Sequence, residues 1–177
     1  MFGRGAQKRY LAEFVYGGLD GAITTFAIVA GAMGASLDAA IVLILGFSNL
    51  FADGFSMAVS NYLSTKSGRE LEARHKHKSY HLKNPKKTAL ATFSFFLIIG
   101  FIPLLSFVAA PGIPIVDANK FLLSFVLTGV ALLIVGAFKG KVIGKHFVKS
   151  ALETFMIGGI AAGIAFAVGY FLRSVVG

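Results

Sequence analysis

The chain has 177 residues, 56% of them hydrophobic, with a formal net charge of +9 and neither cysteine nor tryptophan. Without cysteine, disulfides, thiolate metal sites and a cysteine nucleophile are excluded, and the long uncharged runs select a membrane protein over a soluble domain. The positive charge is not a nucleic-acid footprint, because the basic residues flank apolar runs and lack interleaved aromatics.

Residues 1–10 are basic and resemble the leading part of a signal peptide. The apolar run behind them is too long for a signal core and contains Asp20, so an uncleaved first span is expected over residues 14–35. Glu13 stands at its mouth. Glu13, Gly17, Asp20 and Thr24 fall at i, i+4, i+7 and i+11, on one stripe of a helix. Gly17 and Gly21 form a Gly-x-x-x-Gly pair that lets another helix approach closely. Residues 36–38 make the turn to a second span over residues 39–63, whose only charge is Asp53. These 25 residues give roughly 37 Å of helix, enough to cross a bilayer. Asp20 and Asp53 lie at similar distances from the same ends of two antiparallel helices, so the two carboxylates are expected to meet.

Residues 64–87 form a polar, basic segment, expected to continue the second helix and to stop before Pro85. In it, His77 and His81 are spaced to chelate a metal, but the surrounding lysines and arginines favour a solvated basic helix facing lipid headgroups. A third span is expected over residues 88–110, kinked at Pro103, with a turn at Pro111-Gly-Ile-Pro114. A fourth follows over residues 121–138. The fifth covers residues 154–172, opened by Glu153 where a carboxylate suits the helix dipole, and carries a second glycine pair, Gly159 and Gly163.

Of the 17 lysines and arginines, three lie in residues 1–10, eight in 64–88 and four in 139–150. Five crossings put all three groups on one side, which by the positive-inside rule is the cytoplasm. The expected fold is therefore an all-α polytopic bundle, a single domain of five transmembrane helices, N-terminus cytoplasmic and C-terminus outside. No segments repeat, and no Ser-His-Asp set or phosphate loop falls on a span, so an enzyme is not expected.

An aspartate inside a span is costly to bury and usually marks a route for ions or protons. Asn49, Asp53 and Met57 are spaced i, i+4, i+8 on one face. An amide, a carboxylate and a thioether on one stripe suit a divalent transition metal and disfavour Mg²⁺ and Ca²⁺, which prefer all-oxygen shells. The candidate metal residues are Asp20, Asp53, Met57, Asn49 and Glu13, with Asn61 on the way in. The competing reading is a non-transporting scaffold or partner subunit whose aspartates bond helices together.

Tyr16-Gly-Gly-Leu-Asp20-Gly-Ala-Ile-Thr-Thr and Asn49-Leu-Phe-Ala-Asp53-Gly-Phe-Ser-Met57, continuing to Tyr62-Leu-Ser-Thr-Lys66, resemble the first two helices of the vacuolar iron transporter family. The resemblance implies proton-coupled export of Fe²⁺, and often Mn²⁺, from the cytoplasm by a homodimer whose ion path lies at or near the subunit interface. It matches Asp20 to the family's mid-membrane aspartate, Glu13 to its acidic mouth residue and Met57 to its helix-two methionine. Asn49 stands where some members carry a glutamate, and Asp53, one turn away, is its substitute. Many members also carry a long glutamate-rich metal-binding domain between spans two and three. Here that segment is short, and Glu70, Glu72, His75, His77 and His81 are what remains of such a set. No permanently bound cofactor is implied; the metal is cargo, the other partners are protons, membrane lipid and a second copy, and the expected location is a prokaryotic cytoplasmic membrane.

Overall fold

The computed structural model describes residues 10–74 and 83–176. Helices follow in the order α1 (Leu11–Gly34), α2 (Ala39–Arg74), α3 (Pro85–Gly100), short α4 (Leu105–Ala109) and α5 (Pro114–Ala118), then α6 (Lys120–Ile143) and α7 (Phe147–Val176). No strand occurs among the described residues. Among the described residues five helical stretches are long and apolar enough to cross a membrane, with α3, α4 and the turns around them counting as one.

The helices outrun the expected spans where charged residues are themselves good helix formers. α6 does not stop at Phe138 but continues through Lys139 and Lys141 to Gly144, whose left-handed φ of 73° ends it. α7 begins at Phe147, so Glu153 lies well inside the helix rather than opening it, and faces Lys139 at 4.0 Å. At Pro103 the expected kink is a full break. The α-helix ends at Gly100 and a 3-10 turn, Ile102–Leu104, takes over because proline offers no N–H to the ladder. Ser124 on α6 donates to the Pro103 carbonyl at 2.6 Å, and Ser106 donates to the Lys120 carbonyl at 2.7 Å. These side chains satisfy backbone oxygens that water cannot reach in a bilayer.

α1 is the central helix and packs against α2, α3, α6 and α7. Gly17 and Gly21 sit on the backbone of α3. A Cβ at either would lie 2.5 Å from a carbonyl oxygen, of Thr92 or Phe96 respectively, so only glycine allows this approach. At the other end of α1, Gly34 packs on the α7 backbone at Phe166 and Gly169 of α7 packs on Gly31. The expected second glycine pair behaves differently. Gly159 and Gly163 have nothing within 4 Å of a would-be Cβ, and they line an open apolar groove of about 650 Å³ between α1, α6 and α7. On α7 the close contacts fall to Gly158 and Gly169 instead, one residue and six residues away from the pair.

The main core joins α1, α2, α3 and α4 through Val29, Val42, Leu50, Phe96, Leu104 and Phe107. The turn from α1 to α2 is closed by Ser36 at φ 56°, with Leu37 donating to the Ala32 carbonyl in the manner of a glycine-capped helix end. Arg173 at the end of α7 donates to the Ser36 hydroxyl at 2.6 Å and ties the last helix to this turn. The outward face of α7 is apolar: Phe155, Ile160, Ile164, Val168 and Phe171 are all exposed. In a multi-pass membrane protein such a face meets lipid.

Candidate metal site

The site lies along the seam of α1 and α2. Helical periodicity places Asp20 and Thr24 one turn apart on α1, and the Thr24 hydroxyl donates to the Asp20 backbone carbonyl at 2.8 Å. The same hydroxyl oxygen accepts a long hydrogen bond, 3.5 Å, from Asn49 Nδ2 on α2. One turn along α2 is Asp53, close enough for its charge to act on Asp20. The structure therefore brings together Asp20, Thr24, Asn49 and Asp53. Both carboxylates are half-buried. Neither carboxylate makes a hydrogen bond or ion pair with a described residue. Among the described residues no third histidine, aspartate or glutamate joins them.

The remaining candidates are placed differently. Met57 is buried and belongs to the apolar core with Leu50, Phe96 and Leu104, where its flexible thioether fills space between α2 and α3. Glu13 is not an open mouth acid: it is 3% exposed and held by both oxygens to Lys83 Nζ, at 2.9 and 3.0 Å. Asn61 accepts from the Thr65 hydroxyl at 3.4 Å, and Thr65 meets Thr88 of α3 at 3.3 Å. Glu70 and Glu72 ride exposed on the extension of α2; Glu70 faces Lys66 at 3.9 Å, and two residues apart the two acids point away from each other. His75, His77 and His81 lie outside the described residues.

Lys83 is the site residue that the sequence reading missed. No local signal could have found it, because its partner lies 70 positions away and lysines are common throughout that segment. Asp20 has a further exposure. Along the outer flank of α1 runs a shallow groove of about 290 Å³, lined by Ala12, Val15, Tyr16, Leu19, Asp20 and Ile23.

A profile of the VIT family matches residues 11–82 and 72–170, nearly the whole described chain. The chain belongs to the VIT family. The relatives include a vacuolar iron transporter of Toxoplasma gondii, 30% identical over 95% of this chain and 76% of its own length. Another is vacuolar iron transporter homolog 4 of Arabidopsis thaliana, 28% identical over 90% of this chain and 82% of its own. A vacuolar iron transporter of Plasmodium falciparum reaches 40% identity, but over only 44% of this chain and 29% of its own length.

The VIT match breaks into two overlapping pieces at residues 72–82, the link between α2 and α3. The alignment to the T. gondii protein runs over 229 positions, more than this chain has, whereas that to homolog 4 needs only 169. Additional residues in the longer relative and their absence here fit the short link read from the sequence. These relatives are eukaryotic and give no support to a prokaryotic cytoplasmic membrane; they support a multi-pass membrane protein of the VIT family.

Proposed function

We propose that this chain transports a divalent transition metal, Fe²⁺ or Mn²⁺, out of the cytoplasm in exchange for protons. The observation that carries the reading is the pair Asp20 and Asp53: two carboxylates on adjacent spans, within electrostatic reach and with no donor among the described side chains. Two such groups in a low-dielectric seam are stable together only when a cation or a proton lies between them. A scaffold would bond each aspartate to a neighbouring hydroxyl or amide. Here the nearest candidates, Thr24 and Asn49, bond to each other and to backbone instead. That its relatives are vacuolar iron transporters agrees with iron as cargo.

In this reading the basic end of the bundle faces the cytoplasm. The metal enters past Glu13 and Asn61, sheds water, and is held by Asp20 and Asp53 with the Asn49 amide beside them. Met57 supplies a soft ligand if α2 turns it out of the core. Protons arriving from the far side take the carboxylates as the metal leaves, so that one pair of acids alternates between two kinds of cation. In this reading the protein is a transporter rather than an enzyme, in line with its relatives named vacuolar iron transporter. Asp20 opens onto the flank groove, and a charge on a lipid-facing flank is costly. A second copy laid along α1 covers it, which makes the transporter a homodimer with its path beside the shared face.

The test uses sealed vesicles loaded with a metal-quenched dye and an imposed proton gradient. Wild type should quench with Fe²⁺ or Mn²⁺, and collapsing the gradient should slow it. Asp20→Asn keeps size and hydrogen bonding but removes the charge, and should abolish quenching in a protein that still folds. Quenching equal to wild type in that variant sinks the proposal.

A further inference from the structure

We infer that Lys83 is a tethered counter-cation that occupies the mouth acid Glu13 until a divalent metal displaces it. The inference rests on the transport reading and adds a regulatory contact to it. Glu13 lies in the first turn of α1, where the helix N-terminus favours a carboxylate. Among the described residues it is the only buried acid. Removing its partner would leave a bare buried charge, the costliest kind of broken ion pair. Glu13 therefore needs a cation or a proton.

Lys83 fills that need asymmetrically. Its side chain is 32% exposed while that of Glu13 is 4% exposed, so the lysine is the partner with a way out to solvent. The backbone on the C-terminal side of Lys83 is anchored. Asn84 caps α3 by accepting from the N–H groups of Lys86 and Lys87, and Pro85 starts the helix. What is free to move is the four-carbon stem of the lysine, a compact charge on a flexible arm. The two oxygens that grip the ammonium are the ones a metal would use. With a divalent ion on Glu13, the lysine charge a few ångströms away becomes repulsive and swings into solvent. Release of the carboxylate thus occurs by hand-over from one cation to another, with no intermediate in which it is bare. Glu13 and Asp20 lie two turns apart on one stripe, about 10 Å of rise, so the exchanged ion stands directly below the carboxylate pair.

The geometry points to a consequence for affinity. Lys83 weakens metal binding at the mouth, and a neutral residue in its place strengthens it. The experiment measures Mn²⁺ binding to the full chain in lipid nanodiscs, by the paramagnetic signal of free Mn²⁺, at fixed pH. Lys83→Gln should bind the tightest Mn²⁺ roughly tenfold or more tightly than wild type. Lys83→Arg, which keeps the charge, should stay near wild type, and Glu13→Gln added to Lys83→Gln should cancel the gain. If Lys83→Gln binds Mn²⁺ no better, Lys83 is a strut between α1 and α3 and the inference falls, while transport by the wild type in vesicles would leave the wider reading intact. A wild type that binds neither Mn²⁺ nor Fe²⁺ overturns both. Should Lys83→Gln fail to fold, acylation of wild-type Lys83 read by peptide mass mapping decides: Mn²⁺ should accelerate it, and an unchanged rate overturns the inference.

Discussion

α1 has two seams, and they are built for opposite purposes. Toward α2 and α3 it presents Glu13, Gly17, Asp20 and Thr24; the glycines bring the α3 backbone into contact at Thr92 and Phe96, and the acids stand in the angle that results. Toward α6 and α7 it presents Phe26 and Met33, which line the open apolar groove of about 650 Å³. Close backbone contact fixes positions to fractions of an ångström, and a groove does not. The charge-bearing seam has its glycine contacts beside the acids, whereas the apolar seam closes tightly at its far end, where Gly34 and Gly169 meet backbone, and is open beside Phe26 and Met33, where it carries no charge. Close contact thus lies beside the acids, and slack is confined to the groove, where only lipid or another apolar surface has to fit.

The largest break in this contrast should come from the charges of the tight seam. Asp53→Asn should reduce vesicle transport to background, as Asp20→Asn does. Adding Asn49→Glu to Asp53→Asn should restore part of it, because position 49 already touches Thr24 beside Asp20. No recovery would mean that the carboxylate must stand at Asp53 itself.

Next in size is overpacking. Gly17→Leu should unfold the seam or lower stability by more than about 3 kcal/mol, since its side chain meets α3 backbone that cannot give way. Gly159→Leu, pointing into open space, should change the thermal unfolding of the protomer by less than about 1 kcal/mol. Equal effects in a melting experiment in detergent would erase the distinction between the seams.

Smaller effects should sharpen it. Met57→Leu keeps volume in the core and should cost under about 1.5 kcal/mol, while changing the ratio of Fe²⁺ to Mn²⁺ transport. An unaltered ratio would leave Met57 a packing residue. Thr24→Val removes the acceptor for Asn49 and should cost about 1 kcal/mol, with a modest rise in the metal concentration needed for half-maximal transport. If that concentration is unmoved, the bridge between α1 and α2 has no part in placing the carboxylates.

The five spans, and the placing of Asp20 within electrostatic reach of Asp53, were legible in the sequence, because both depend on local rules. Apolar length marks a span, and residue counts from matched ends give depth. Helix ends were less legible where charge was taken as the boundary. Lys139 and Lys141 extend α6, and the stop at Gly144 is set by backbone conformation rather than polarity. Which glycines pack was legible for Gly17 and Gly21 but not for Gly159 and Gly163. Spacing alone does not say which face of α7 turns inward, and the inward face carries Gly158, Ala162 and Gly169. The Glu13–Lys83 pair was illegible for a different reason, since it depends on how α3 is seated beside α1 and on nothing near either residue in the chain.

The unbroken length of α2 has a mechanical consequence. Its 36 residues make a rod of roughly 54 Å, more than a bilayer core requires. Asn49, Asp53 and the exposed stretch that ends at Arg74 belong to one hydrogen-bonded cylinder with no proline or break between them. Such a rod resists stretching and twisting along its axis. Whatever grips the exposed stretch, by pulling or by turning it, moves Asp53 against Asp20 by the same slide or rotation. The protruding end is a crank handle whose throw is delivered at the carboxylates.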